Sequence, residues 1–140
     1  MSAPVAQLGR RWHFSASHRL HVDALTAQQN REIFGKCNNP YGHGHNYTVE
    51  VSMRGPIEAA TGMVVDLAEL DAFAQREVLS RFDHRNLNTL ECFLDRVPST
   101  ENLARELWAI FERFPKAVLV RVRVEETPNN SFEYFGETNR

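Results

Sequence analysis

From His45 to Arg54 the sequence alternates without a break. His45, Tyr47, Val49, Val51 and Met53 fall on one parity, and Asn46, Thr48, Glu50, Ser52 and Arg54 on the other. Successive side chains of a β-strand point to opposite faces, so this segment buries one side and leaves the other wet. Gly55-Pro56 ends it. Such a strand belongs to an antiparallel sheet with a single covered face. Two more segments keep the same period. Trp12, Phe14, Ala16 and His18 share a parity within Arg10 to His18, and Val118, Val120, Val122 and Val124 oppose Leu119, Arg121, Arg123 and Glu125. Asn129-Asn130 then turns into a short last strand, Ser131 to Phe135.

Helices supply the cover. Asp66, with Glu69 three residues on, has capping-box spacing, and Leu67, Leu70, Ala74, Val78 and Phe82 form a helical stripe behind it. Pro98-Ser99-Thr100-Glu101 opens a second helix, with Leu103, Leu107, Ile110, Phe111 and Phe114 as its buried face and Pro115 as its stop. Gln28 to Phe34 has room for a helical turn, and Gly35 to Gly44, rich in Gly, Asn and Pro, is a loop. No linker or repeat divides the 140 residues, so one domain over 1–140 is expected. The class is α+β: a four-stranded antiparallel sheet with two helices on one face.

Composition removes several functions. Sixteen Lys and Arg against eighteen Asp and Glu leave a net charge of −2, without the basic excess of a nucleic-acid binder. No apolar run approaches the roughly 20 residues that span a bilayer. Met1 to Arg11 lacks the apolar centre of a signal peptide. Only Cys37 and Cys92 are present, which argues for a reducing, cytoplasmic setting over a disulfide scaffold.

The chemistry starts at His43-Gly44-His45. Two imidazoles at i and i+2 of a strand point the same way, here towards the side of Tyr47 and Val49. His18 closes the Trp12/Phe14/Ala16 parity and does likewise. Three imidazoles at the ends of apolar stripes make a three-His zinc site, against the blander reading of unrelated core or turn histidines. His13 and His21 lie off the pattern and count as surface residues.

Cys37 decides the type of site. As a fourth ligand it closes a structural zinc; as a non-ligand it leaves an open position, and its thiol is then base or nucleophile. A loop cysteine with no role satisfies the spacing equally. Cys92 reads as packing. Asp83-His84 follows the first helix; it is a carboxylate-oriented imidazole or simply a polar helix end, since adjacent side chains seldom bond well. Glu126 falls on the core parity of the valine strand, where a carboxylate needs a partner such as an N–H edge of a ligand. If the strand stops early, it is solvated in the following turn.

Taken together, Phe14-Ser-Ala-Ser-His-Arg-Leu20, Phe34-Gly-Lys-Cys-Asn-Asn-Pro-Tyr-Gly-His-Gly-His-Asn-Tyr47, Asp83-His-Arg-Asn-Leu87, Ser99-Thr-Glu-Asn102 and Glu126-Thr-Pro-Asn-Asn130 resemble the 6-pyruvoyl-tetrahydropterin synthase family. The resemblance spans about Trp12 to Glu137, with the motifs in order. It implies a T-fold subunit in a homohexamer, a dimer of trimers, with active sites at subunit interfaces. It implies that His18, His43 and His45 hold a catalytic Zn²⁺ and that Cys37 is the base. Asp83 and His84 become a relay pair contributed by a neighbouring subunit. Glu126 anchors the pterin, and Ser99, Thr100 and Glu101 lie along its pocket.

The implied reaction takes 7,8-dihydroneopterin triphosphate to 6-pyruvoyl-tetrahydropterin with loss of triphosphate, Mg²⁺ accompanying the phosphates. Lys36, Arg19 and Arg31 are the available cations, without assigned roles. Tyr41 stands where the family often has Asn, and Pro128 where Asp is frequent. The long run between Cys37 and His43 separates the chain from the 6-carboxy-tetrahydropterin synthases, with their tighter spacing. Tyr41-Gly42 separates it from the branch with Glu before HGH. The carboxy-forming activity and a non-enzymatic zinc module remain the alternatives.

Overall fold

The computed structural model describes residues 3–137; residues 1–2 and 138–140, the ends of the expected 1–140 domain, lie outside the described residues. Its frame is a pair of fourteen-residue strands, β1 (Val5–His18) and β2 (His43–Pro56), antiparallel along their whole length. Pro56 faces Val5 at one end and His43 faces His18 at the other. The inward rows Phe14, Ala16 and His18 and Tyr47, Val49, Val51 and Met53 are therefore as expected. The other face is not wet throughout, since Glu50, paired with Arg11 and Arg121, and Ser52 are buried too. β1 also begins five residues before Arg10, because the tail of β2 needs a ladder partner as far as Pro56. β4 (Val118–Thr127) and β5 (Asn130–Tyr134) extend the sheet beyond β2.

The sheet has five strands, not the four expected. The extra one, β3 (Arg85–Asn86), is parallel to Ala16 and Ser17 of β1, giving the order β3-β1-β2-β4-β5. Two residues carry no periodicity, and this strand exists only through its pairing with β1.

A second difference lies in β4. The ladder with β2 slips by one residue between Ser52 and Met53, as in a β-bulge. Beyond the slip the faces exchange: Leu119 is buried and Val118 is 69% exposed, whereas Val122 and Val124 hold the expected side. Sequence parity describes a strand only while its partner keeps step.

Helices cover one face. Asp66 caps α2 (Leu67–Ala74), accepting from the N–H of Ala68 and of Glu69. The helix then passes through a π turn, Gln75–Leu79, into its last turn α3 (Ser80–Phe82). Ala74, Val78 and Phe82 are all buried. Eight residues overshoot two α turns by about 80°, and the wider π turn takes up the excess. Leu67 is 37% exposed and Phe73, absent from the expected stripe, is buried in its place. Ser99 caps α4 (Thr100–Phe111), whose Leu103, Leu107, Ile110 and Phe111 are buried with Phe114 as expected. Trp12 of β1 stacks on Phe111 with ring centroids 5.4 Å apart.

Between β1 and β2 the chain forms more than a turn. Thr26 and Gln29 make a reciprocal capping box, and α1 (Ala27–Phe34) follows, then a 3₁₀ turn, Gly35–Asn38. The fully buried Asn30 bonds back to the Val22 carbonyl and amide and fixes α1 against its own lead-in.

Candidate active site

The β1–β2 register builds the histidine cluster. His18, last in β1, faces His43, first in β2, and Ala16 faces His45. The three side chains share the covered side of the sheet, with ring centroids 4.7 to 5.0 Å apart, each pair edge-on. Nε2 of His43 lies 3.1 Å from Nε2 of His18 and 2.9 Å from Nε2 of His45.

This arrangement fits a metal. The Pro98 carbonyl, 2.9 Å from His18 Nδ1, only accepts, so Nδ1 carries the proton and Nε2 offers a lone pair to the cluster. Burial pushes His18 and His45 below the ordinary imidazole pKa, which favours the neutral, ligating form. Tetrahedral zinc–imidazole bonds hold their nitrogens roughly 3.3 Å apart, close to the spacing seen. Nitrogen lone pairs facing one another at this range are relieved by a shared cation. Among the described residues, the ligand cluster comprises the three histidines without Cys37. That is a three-ligand site with an open position, not a closed Cys-His₃ centre.

Cys37 sits in the 3₁₀ turn, half-buried, its carbonyl accepting from Leu20 N–H at 2.7 Å. It lines a cavity of about 810 Å³ together with His43 and His45. Burial and the charge of Glu126 push its thiol up. His21, expected on the surface, is half-buried in the same cavity, with Nδ1 2.9 Å from the Asn38 amide nitrogen. It departs from the β1 parity because the strand has already ended at His18.

Glu126 points inward, since β4 continues to Thr127. Its Oε2 is 3.8 Å from His45 Nε2. Thr100, buried at the start of α4, donates its hydroxyl to the carboxylate, and Asn130 Nδ2 donates at 3.0 Å. Burial acts to raise its pKa, but these hydrogen bonds and the imidazoles outweigh it and hold Glu126 below the ordinary carboxylate range. Tyr47, fully buried beneath the cluster, is held protonated by burial, its hydroxyl 3.4 Å from His18 Nδ1. Of the other pocket residues expected, Ser99 is spent on the helix cap and Glu101 is exposed. Pro98 and Asn130 escaped sequence reasoning as site residues, although Asn130 closes a quoted motif.

Asp83 and His84 are a bonded pair after all: His84 Nδ1 lies 3.1 Å from Asp83 Oδ1. His84 has φ 60°, and this left-handed turn folds the ring back onto its neighbour. Ser15 of β1 fixes both residues, its N–H donating to Asp83 Oδ1 at 2.9 Å and its carbonyl accepting from His84 N–H at 2.6 Å. The Ser15 N–H holds Asp83 below the ordinary carboxylate range. The His84 side chain is 82% exposed and faces a separate cavity of about 370 Å³, which shares His45 with the first. Within one chain Cys37 and His84 therefore line different cavities.

The chain matches the family model described as 6-pyruvoyl tetrahydropterin synthase over residues 7–137. It belongs to that family. The human 6-pyruvoyl tetrahydrobiopterin synthase is 46% identical over 134 residues, 94% of this chain and 92% of that protein. The solved 6-pyruvoyl tetrahydropterin synthase of Caenorhabditis elegans superposes with a TM-score of 0.92 at 41% identity, over 98% of this chain and 99% of that one. The 6-carboxy-5,6,7,8-tetrahydropterin synthase of Bacillus subtilis is more distant, 29% identical over 91% of this chain and 84% of that protein.

Proposed function

We propose that this chain is a lyase that converts 7,8-dihydroneopterin triphosphate to 6-pyruvoyl-tetrahydropterin, releasing triphosphate. The observation that carries the reading is the open three-histidine ligand set flanked by two unlike groups. Cys37 lies in the shared cavity, and the Glu126 carboxylate stands 3.8 Å from His45.

His18, His43 and His45 would hold Zn²⁺. When bound, the ion supplies Lewis acidity, acidifying the C–H bonds beside coordinated side-chain hydroxyls and drawing down the pKa of a nearby thiol. Glu126, ionised and fixed by Thr100 and Asn130, accepts from the N–H edge of the pterin and sets the ring in one orientation. Cys37 then takes the proton at Sγ from the side-chain carbon held beside the histidines. Ser99 and Glu101 keep a place in this reading only as neighbours of Thr100 at the pocket wall.

Asp83 and His84 act as a relay across a subunit boundary. The exposure of His84 on the far cavity supports this, and with it an oligomer, a hexamer of two trimers, whose neighbouring chain completes each site. Mg²⁺ accompanies the triphosphate. A base thiol works only when reduced, so the reading carries a cytoplasmic setting with it. Among the described residues, no helix is long and apolar enough to cross a membrane.

Product analysis tests the activity. Zinc-loaded protein is incubated without oxygen with dihydroneopterin triphosphate and Mg²⁺, and products are identified by mass spectrometry. Pyruvoyl-tetrahydropterin plus triphosphate is expected; carboxy-tetrahydropterin plus acetaldehyde would move the chain to the other activity.

A further inference from the structure

Both ends of the site lean on the same stretch of chain. Pro98 offers its carbonyl to His18 Nδ1 at 2.9 Å, and Thr100, two residues on, donates its hydroxyl to the Glu126 carboxylate. Ser99 between them is spent on the helix cap. Tyr47 of β2 fills the remaining gap. It is fully buried, its ring stacked on Phe14 with centroids 5.3 Å apart and standing edge-on to His45 at 5.6 Å. Its hydroxyl is 3.4 Å from His18 Nδ1 and in hydrogen-bonding contact with the Thr100 side chain. No step of the proposed reaction uses it.

The chemistry of these groups fixes the direction of each bond. A carboxylate only accepts, so the Thr100 proton points to Glu126. Thr100 therefore meets Tyr47 as an acceptor, and the phenol donates. At His18 the Nδ1 proton is committed to Pro98, so the phenol oxygen can only accept there and its own proton stays free for Thr100. The result is a one-way series from Tyr47 to Thr100 to Glu126, and both residues that carry its hydroxyls are buried. In such an interior each bond polarises the next and strengthens it. Thr100 is left no alternative, because turning its proton towards Tyr47 would set two hydroxyl protons face to face.

We infer that Tyr47 is a positioning residue for the pterin anchor, acting on Glu126 through the Thr100 hydroxyl. The inference rests on the activity proposed above and says what holds its anchor in place. β2 carries His43, His45 and Tyr47, whereas Glu126 belongs to β4. The series thus ties the anchor to the strand that supplies two of the three histidines. A carboxylate released from that tie could shift by about 1 Å and present the pterin at an altered distance from them.

Fluorescence titration with neopterin, an oxidised and unreactive pterin, tests the link in the zinc-loaded full chain without turnover. Tyr47→Phe is expected to weaken binding about 3- to 10-fold, the range of one neutral hydrogen bond. Bound zinc should be unchanged, because the Pro98 carbonyl still holds His18. Coupling between variants decides the role. In a Thr100→Val background, Tyr47→Phe should weaken binding less than about 2-fold further, since the series is already cut. In a Thr100→Ser background, which keeps the hydroxyl, the full effect of Tyr47→Phe should return. Losses that multiply in the Tyr47→Phe, Thr100→Val double variant, or unaltered affinity in Tyr47→Phe alone, would overturn the link. Loss of zinc together with neopterin binding in Tyr47→Phe would also overturn it, placing the hydroxyl in the service of His18. Absence of neopterin binding by the unmodified protein would overturn the anchor and the link together. Coupled neopterin binding without pyruvoyl product would instead overturn the activity and leave the link standing.

Discussion

Nδ1 of His18 is bound to the carbonyl of Pro98 at 2.9 Å, so the residue just before the Ser99 cap of α4 orients an imidazole at the end of β1. The helix start and the histidine cluster are thus one construction. Replacing a ligand should empty it: His43→Ala is expected to reduce bound zinc from about one per chain to background, with activity lost in parallel. Full metal content in that variant, measured by elemental mass spectrometry, would remove His43 from the ligand set.

Cys37→Ser should separate catalysis from metal binding. Metal content and thermal midpoint are expected to stay as they are, while kcat falls by about 10²- to 10⁴-fold, the usual contribution of a positioned base. Loss of zinc alongside activity would make the thiol a ligand and revive the structural-zinc reading.

Glu126→Gln keeps the shape of the anchor and removes its charge. Pterin affinity, followed by fluorescence quenching, is expected to weaken about 10- to 100-fold. Thr100→Val, which takes away one hydroxyl holding the carboxylate, should give a smaller loss in the same direction. If affinity is unchanged in Glu126→Gln, the ring is held elsewhere.

The separation of Cys37 from His84 within one chain predicts complementation between variants. Cys37→Ser and His84→Ala, each inactive alone, should recover part of the activity after joint dissociation and reassembly, because some interfaces then combine two intact halves. Persistent inactivity of a mixed assembly, verified by native mass spectrometry, would place the whole relay in one chain.

Asp71 provides a stability test apart from the site. It accepts from Arg10 Nε at 3.0 Å and from Trp12 Nε1 at 3.0 Å, tying α2 to β1. The Arg10 hydrogen bond is the main cause holding its carboxyl below the ordinary range. A depressed folded pKa stabilises the fold above the unfolded value, about 3.9, and that stabilisation is lost as pH falls through the folded one. Asp71→Asn should therefore flatten the acid limb of a plot of thermal midpoint against pH. An unchanged limb would show that the contact does not contribute.

What could be read from the sequence followed from how local its cause is. The inward row Tyr47, Val49, Val51 and Met53 is set by alternation along a single strand, and the histidines inherit their common side from it. Ser99 as a cap is equally local. The exchange of Val118 for Leu119 depends on a slip against Ser52 in another strand, and β3 depends on Ala16 and Ser17, so neither leaves a mark in its own residues. The Asp83–His84 contact was obscured because a positive φ at a non-glycine residue is not written in residue type. The company kept by Glu126, drawn from α4 and β5, needed the assembled fold.

The π turn at Gln75–Leu79 gives the chain a counting rule. Each α-helical residue advances the winding by about 100°. Straightening that turn into regular winding with all its residues kept would swing Phe82 about 80° away from the sheet, together with Asp83 and His84. Deleting one of its residues leaves seven steps, about 700°, and keeps Phe82 on the same face. The wide turn is thus a surplus letter read silently: the imidazole downstream keeps its address whether that letter is present and absorbed or removed, and loses it only if the letter stays while the turn tightens.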